Sequence, residues 1–161
     1  MQLSNLSYSQ FLETIPDAAI VVDRAGKIVL ANSLAYVLFG HQPGELQGQS
    51  VQTLVPEKSR EIHARYIERY LDSPTTRPMG KERKLSARRK DGSEFPADIM
   101  LKPVEMDGAL LTVSIIRDIT ERTQAEKALL ESLERHRRTL DNMLEGCQII
   151  GFDWRYLYVN D

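Results

Sequence analysis

Two Asp-Gly pairs divide residues 83–119 into three segments that are rich in β-forming residues. The pairs are Asp91–Gly92 and Asp107–Gly108, and Asp-Gly between such segments is a strong signal for a tight hairpin turn. The middle segment places Phe95, Ala97, Ile99 and Leu101 at alternate positions. Successive side chains of a strand point to opposite faces, so this alternation predicts one buried face. The pattern therefore predicts a three-stranded antiparallel meander.

The first half of the chain supplies one more strand pair and several helices. Residues 17–32 predict two strands around a turn at Asp23–Gly26, and residues 33–40 have the pattern of a short amphipathic helix. The prolines and glycines of residues 41–56 predict turns and single helical turns. A longer helix is predicted over residues 57–71, between two prolines. The expected fold class is therefore α+β, with an antiparallel sheet and helices gathered on one side.

Composition and charge exclude several classes of protein. The net charge of −2 gives no dominant basic field, so we expect no nucleic-acid partner. The single cysteine, Cys147, excludes an internal disulfide and a multi-cysteine metal site. No apolar run reaches the roughly 18 residues of a membrane-spanning helix, and the N-terminus lacks the pattern of a secretory signal. We therefore expect a cytoplasmic chain with no membrane segment in this sequence.

A helix is predicted from Asp118 onward, because neither proline nor glycine follows until Gly146. Asp118 and Glu121 have the spacing of a capping box. The a positions of an imperfect heptad pattern are Ile119, Glu126, Leu133 and Leu140, and the d positions are Arg122, Leu129, His136 and Met143. This narrow apolar seam predicts a homodimer that forms a parallel coiled coil through residues 118–144. Packing of the helix on its own domain stays open as the alternative.

Residues 12–32 and 140–160 align with each other without a gap. Both segments keep a strand–turn–strand layout, and they end at Asn32 and Asn160 respectively. This internal repeat predicts that residues 146–161 begin a second copy of the first domain. We therefore expect the sequence to belong to a longer tandem array.

Three stretches of the sequence resemble the PAS sensory-domain family. They are IPDAAIVVDRAGKIVLAN at residues 15–32, RRKDGSEFPADIML at residues 88–101 and IIRDITERTQAEKAL at residues 115–129. The resemblance implies a five-stranded antiparallel sheet, with short helices on one side that enclose a ligand pocket. It also implies a long C-terminal linker helix after the sheet.

The resemblance further implies a domain layout and a function. The layout is a PAS domain with an N-terminal helical cap over residues 1–117, a signalling linker helix over 118–145 and the start of a second, truncated PAS domain over 146–161. Such modules occur in bacterial signal-transduction proteins, upstream of a histidine kinase, a cyclic-dinucleotide enzyme or another PAS copy. We therefore expect a ligand-sensing and dimerisation module that relays the state of its pocket through the linker to an output domain outside this sequence.

No catalytic residue is predicted. The sequence has no phosphate-cradling glycine loop, no nucleophile paired with a base and no cluster of metal ligands. We therefore expect that this chain is not itself an enzyme.

The helix at residues 57–71 also resembles the equivalent helix of haem-binding PAS oxygen sensors. His63 matches the histidine that ligates the haem iron in those sensors, so it is the one predicted metal ligand. The resemblance adds Tyr66 on the same helix, Arg69 and Arg77 for the propionates, Arg83 for the bound gas, and Ile99 and Leu101 over the distal face. Ile67 shares the helix face of His63 and completes the predicted site. Lys81 and Glu82 depart from the family pattern, which has smaller or apolar residues before the distal arginine.

His63 therefore has two interpretations, as the axial ligand of haem b or as a half-buried residue that completes a partly polar helix face. A photochemical flavin site needs a cysteine in the pocket, and the only cysteine of this chain lies beyond the linker. Non-covalent flavin, a small organic ligand and an empty pocket stay open. The sequence thus leaves three functions: a ligand sensor, a haem-based gas sensor and a cofactor-free assembly module.

Overall fold

The predicted meander lies within an antiparallel sheet that has six strands in the described part of the chain. The computed structural model describes residues 5–72, 74–79, 85–142 and 148–159. The chain divides into two units, Met1–Thr120 and Glu121–Asp161, and the sheet belongs to the first of them.

The described residues of the first unit form three helices, six strands and two 3-10 turns. In chain order these are α1 (Asn5–Glu13), β1 (Ala18–Val22), β2 (Ile28–Ala31), α2 (Ser33–Phe39), the 3-10 turns Val51–Leu54 and Glu57–Ser59, α3 (Arg60–Asp72), β3 (Arg77–Met79), β4 (Leu85–Arg88), β5 (Glu94–Met106) and β6 (Ala109–Asp118). This order confirms the predicted α+β arrangement of a strand pair, short helices, one longer helix and a meander.

The strands lie in the order β2–β1–β6–β5–β3, and β4 also pairs with β5. β3 lies opposite Ile99–Leu101, whereas β4 lies opposite Glu94–Ala97, so the two short strands share one edge of β5. The sheet therefore has five strand positions, one of which is filled by two strands. β3 was not predicted from the sequence, because a three-residue strand that contains Pro78 gives little signal. Proline fits there because an edge strand can lack one backbone donor.

The backbone at Asp107–Gly108 explains the tight turn between β5 and β6. Met106 and Ala109 are paired, which leaves a loop of two residues between the strands. Both loop residues have positive φ, 49° at Asp107 and 77° at Gly108. Turns of this kind match the natural twist of the flanking strands. They favour Asp-Gly because both residues must adopt the left-handed backbone conformation. The hairpin that the Asp-Gly pair predicts is confirmed.

β1 is buried on both of its faces, which explains its uninterrupted apolar sequence. One face contributes to a cluster between the sheet and α2, which includes Ala18, Ile20, Val22, Ile28, Tyr36, Phe39, Leu46, Phe95 and Ile116. In this cluster the rings of Phe39 and Phe95 pack with centroids 5.8 Å apart. The other face contributes Ala19 and Val21 to a cluster with Leu12 of α1. The two sides of the sheet therefore carry separate cores.

Asn32 joins the elements at the start of the fold through a buried side-chain amide. Its Oδ1 atom accepts hydrogen bonds from the backbone N–H of Ala19 in β1, at 2.9 Å, and of Ala35 in α2, at 3.0 Å. Its Nδ2 atom donates to the carbonyl oxygens of Asp17, at 2.9 Å, and Leu12, at 3.3 Å. The residue is 1% exposed, so all four bonds form away from water. Asn32 is both the N-cap of α2 and a clamp on the preceding strands.

The second unit contains α4 (Thr120–Asp141), which begins at the boundary, and a hairpin of β7 (Gln148–Ile150) and β8 (Tyr156–Val159). The described part of α4 has no buried residue, and Leu129, Leu130 and Leu133 are each more than half exposed. None of the helices within the described ranges has the length and apolar character needed to cross a membrane.

The hairpin of β7 and β8 has the same register as the hairpin of β1 and β2. Gln148 lies opposite Val159 and Ile150 opposite Tyr156, with an irregularity after Ile149. The aligned residues of the first hairpin are Ile20 opposite Ala31 and Val22 opposite Ile28, with an irregularity after Val21. The turns also match, since Gly26 and Trp154 occupy aligned positions and have φ of 76° and 63°.

Replacing Asn32 by alanine should lower the free energy of unfolding by about 3 kcal/mol or more, because it removes a helix cap and leaves buried backbone groups unpaired. Chemical denaturation followed by circular dichroism measures this loss. The matched control is Asn142→Ala, which removes an exposed hydrogen bond to the carbonyl oxygen of Arg138 and should change stability by less than about 0.5 kcal/mol. Equal effects of the two substitutions would contradict the central role of Asn32.

Candidate functional site

A cavity of about 620 Å³ lies between α3 and the inner face of the sheet. Its lining residues include Ile20, Phe39, Val51, Leu54, Ile62, His63, Tyr66, Arg77, Ile99, Leu101, Ser114 and Ile116. The volume falls within the range of small-molecule sites, which are mostly apolar with a few polar groups. This cavity, called the main cavity below, is the candidate ligand site.

A surface groove of about 710 Å³ on α4 lacks these properties. It is lined by Glu131, Glu134, Arg135, Arg138, Thr139 and Asn142, which are all polar and belong to one helix or its end. Such a groove has no apolar wall that could remove a ligand from water. We therefore place no site there.

The helical spacing of α3 directs His63 and Tyr66 toward the main cavity, because residues three apart lie on one face of a helix. Ile67 and Tyr70 continue this face and line a smaller adjoining cavity of about 60 Å³, called the side cavity below. The two cavities share His63, Tyr66, Arg77, Leu101 and Ser114 among their lining residues. The face that the sequence predicts on this helix is therefore the face that lines both cavities.

His63 is half-buried, and its Nδ1 atom lies 3.3 Å from Oε1 of Gln52. Burial lowers the pKa of His63 below its ordinary value of 6.5, because the apolar surroundings disfavour the charged imidazolium. The imidazole is therefore neutral at neutral pH. When Nδ1 carries the proton and donates a hydrogen bond to Oε1 of Gln52, Nε2 keeps a lone pair that can bind a metal ion.

The sheet contributes the opposite wall of the main cavity. Ile99 and Leu101 of β5 line it from below α3, as their alternation in the sequence predicts. Arg77 of β3 lines both cavities, and its guanidinium lies over the ring of Tyr70 at 5.1 Å from the ring centre. Five of the predicted site residues, His63, Tyr66, Arg77, Ile99 and Leu101, thus line the main cavity together.

The remaining predicted site residues have other positions. Ile67 lines only the side cavity. Arg69 is exposed and lines neither cavity. Arg83 lies outside the described residues, as do Lys81 and Glu82.

Three polar residues illustrate what the sequence prediction of the site missed. Gln52 lies in a 3-10 turn, and no sequence pattern there predicted that its side chain would contact His63. Ser114 is a polar residue on the inner face of an apolar strand, and that interruption was the available signal. Tyr70 was recognised on the helix face but was not assigned to the site, although it is 5% exposed and lines the side cavity.

The end of β6 connects the sheet to the start of α4. Oδ2 of Asp118 accepts a hydrogen bond from Nη2 of Arg89 at 2.7 Å, and Oδ1 accepts one from the backbone N–H of Thr120 at 2.8 Å. Burial alone would raise the pKa of Asp118, but the hydrogen bonds from Thr120 and Arg89 lower it below its ordinary value. Arg89 also donates to the carbonyl oxygen of Leu38 at the end of α2 and packs over Phe95. The first residue of α4 is thus bonded to the core through one carboxylate.

The lowered pKa of His63 predicts a pH-dependent stability. Unfolding raises this pKa toward 6.5, so the unfolded chain binds more protons in the window between the folded value and about 6.5. The contribution of His63 is therefore fully present above this window and is lost as the pH falls through it. Denaturant unfolding from about pH 5 to about pH 8 should show a smaller decrease at low pH in His63→Gln than in the wild type. The control His136→Gln, at an exposed site on α4, should keep the wild-type profile, and an unchanged profile in His63→Gln would contradict the prediction.

Comparison with known proteins identifies the fold independently. A family model described as the PAS fold matches residues 6–119. The crystal structure of a PAS domain from Desulfitobacterium hafniense superposes with a TM-score of 0.57 at 22% identity, and the match covers 68% of this chain and 98% of that domain. At this identity the likeness shows the fold alone.

Two curated relatives are named as sensors. The sensor protein FixL of Bradyrhizobium diazoefficiens is 37% identical over 120 residues, which are 74% of this chain and 24% of FixL. The oxygen sensor protein DosP of Escherichia coli is 26% identical over 110 residues, which are 68% of this chain and 14% of DosP. This chain therefore spans about a quarter or less of the length of these relatives. With the family model matched over most of the chain and the sheet, helices and cavity in place, this chain belongs to the PAS family of sensory domains.

Proposed function

We propose that residues 1–117 form a ligand-sensing PAS domain of a bacterial signal-transduction protein, and that residues 118–145 form its signalling linker. The observation that carries this proposal is the main cavity between α3 and the sheet. A cavity with apolar walls and a few inward polar groups is the usual form of a small-molecule site. The relatives FixL and DosP, both named as sensors, support the same role.

A ligand in the main cavity would act on α4 through β6. Ser114 and Ile116 of this strand line the cavity, and Asp118 at the end of the same strand holds the first residue of α4. Neighbouring residues of a strand are rigidly linked at about 3.3 Å each, so a displacement at Ile116 is passed to Asp118. The bond from Arg89 ties the same carboxylate to the core. Pocket occupancy would therefore bias the start of the linker.

The proposed partner is a second copy of this chain. α4 has 22 residues and exposes Leu129 and Leu133, which are a d and an a position of the predicted heptad pattern and support a parallel coiled coil. A helix of this length spans about 33 Å, so a rotation at its start is carried to whatever follows. The downstream elements that we propose are a second PAS domain, which residues 146–161 begin, and an output domain such as a histidine kinase or a cyclic-dinucleotide enzyme. The matched register of the two hairpins supports the second domain.

Filling the main cavity by mutation should imitate ligand binding. Leu101→Trp places a large ring into the cavity, whereas Met100→Trp places the same ring on the opposite face of β5, where Met100 is 40% exposed. We expect Leu101→Trp, and not Met100→Trp, to change the hydrogen-exchange rates of the first amides of α4 by about threefold or more. The measurement is hydrogen–deuterium exchange with mass spectrometry or NMR. Similar changes in both variants, or in neither, would count against the relay.

A haem-based gas sensor is the second candidate, because His63 presents a neutral imidazole to an apolar cavity. Within the described residues, no group of three or more His, Cys, Asp or Glu side chains could hold a metal ion alone, but haem iron needs only one protein histidine. His63 and the walls formed by Ile99 and Leu101 therefore fit haem. Of the predicted propionate partners, Arg77 lines the cavity and Arg69 does not. When bound, haem would supply the iron to which a diatomic gas binds.

Absorption spectroscopy with added haemin tests the gas-sensor candidate. If His63 is the axial ligand, the wild type develops a sharp Soret band that His63→Ala loses or strongly reduces. The matched control is His41→Ala, which removes a partly buried histidine that lies 3.5 Å from Glu45 and lines neither cavity. Failure of the wild type to form the band, or its full retention in His63→Ala, would exclude this role.

A further inference from the structure

The side cavity contains the buried hydroxyl group of Tyr70, beside the side chain of Thr112. Tyr70 is 5% exposed, and its hydroxyl group forms no hydrogen bond of normal geometry with the described residues. Burial raises the pKa of Tyr70, and the nearby Thr112 and Arg77 only partly oppose this effect, so the group is a protonated donor at neutral pH. Buried hydroxyl groups are rarely left unpaired in folded proteins. The hydroxyl group is therefore free to donate to an acceptor bound in the side cavity.

Arg77 places a positive charge beside this donor. Its guanidinium stacks on the ring of Tyr70, and none of the described carboxylates forms an ion pair with it. Asp23 also lines the side cavity, but one of its oxygens already accepts the backbone N–H groups of Ala25 and Lys27, at 2.8 and 2.9 Å. A hydroxyl donor next to an unpaired guanidinium is suited to a carboxylate, because hydrogen bonds to a charged group are the strong ones.

The two cavities differ in size, and together they form a site with a small polar end and a large apolar end. The side cavity, at about 60 Å³, has room for a small polar group such as a carboxylate. The main cavity is ten times larger and has the apolar walls Leu54, Ile99 and Ile116. The shared residues His63, Tyr66 and Ser114 place the two spaces side by side.

We propose that this site binds an apolar monocarboxylate, with its hydrocarbon part in the main cavity and its carboxylate bound by Tyr70 and Arg77. The proposal rests on the proposed ligand-sensing function and specifies the class of ligand. A single negative charge is favoured because Arg77 is the one cation of the described lining residues without a carboxylate partner; Lys58 is paired with Glu94 at 3.0 Å. Tyr70 lies deep in the fold, whereas Arg77 is exposed at the rim, so the tyrosine should contribute more to affinity.

Calorimetric titration with decanoate and with 1-decanol tests the proposal, because the two probes share a chain and differ in the head group. The wild type should bind decanoate about tenfold more tightly than 1-decanol at neutral pH. Tyr70→Phe should weaken decanoate binding by about tenfold and leave 1-decanol binding within about twofold. Arg77→Gln should weaken decanoate binding by about threefold, since an exposed charge is screened by water. Arg69→Gln, an exposed arginine of α3 that lines neither cavity, should change neither affinity.

Thermal unfolding without ligand confirms that the variants are folded. Tyr70→Phe should unfold at the same temperature as the wild type or a higher one, because it removes an unpaired buried hydroxyl group and keeps the ring. Equal wild-type affinity for decanoate and 1-decanol would overturn the proposed head-group site while leaving a ligand-binding cavity in place. Unchanged decanoate affinity in Tyr70→Phe would overturn it as well. Binding of neither probe by the wild type would overturn the monocarboxylate proposal and also count against the main cavity as a ligand site.

Discussion

The side-chain amide of Asn32 is the interaction on which the rest of the first unit depends. Its two donors and its acceptor oxygen bind backbone groups from the end of α1, from the start of β1 and from the first turn of α2. Apolar packing also holds α1 and α2 against β1, and the Asn32 amide adds hydrogen bonds that join all three elements at one point. Once α2 is fixed there, Phe39 reaches both the core and the main cavity. Asn32 therefore helps to position a wall of the main cavity, although it does not line the cavity itself.

The inner face of the sheet serves two purposes that conflict in part. Near β1 and α2 it is a dry core of packed apolar side chains, which stabilises the fold by burial. Beneath α3 the same face leaves a cavity and carries polar groups from Ser114 and Thr112, which reduce that stabilisation. A chain under selection for stability alone would fill this space. The unfilled cavity therefore lowers the stability of the fold, and a ligand-binding function would explain why it is kept.

Much of the fold could be predicted from short-range signals, and much of the site could not. Asp-Gly turns, alternation in β5 and the proline boundaries of α3 are local, so they indicated the meander and the longer helix. The helix face of His63, Tyr66, Ile67 and Tyr70 also followed from spacing along the chain. The partner of His63 did not, because Gln52 approaches it from a separate turn through the tertiary fold. Arg69 matched the family pattern by its spacing from His63 along the sequence. Six residues correspond to a rotation of about 240° around the helix, so Arg69 lies on a different face and does not line the cavity.

The two hairpins with matched register show how little of a backbone path depends on particular side chains. At the aligned turn position the first hairpin has Gly26 and the second has Trp154, and both adopt left-handed φ values. Tryptophan is sterically disfavoured there by about 1–2 kcal/mol, so the turn is held by main-chain bonds, such as those from Gly26 to Asp23 and from Trp154 to Gly151. The same hydrogen-bonded frame is thus compatible with different side chains at its turn. In a protein held by main-chain bonds of this kind, sequence similarity would be lost through substitution well before the backbone structure changed.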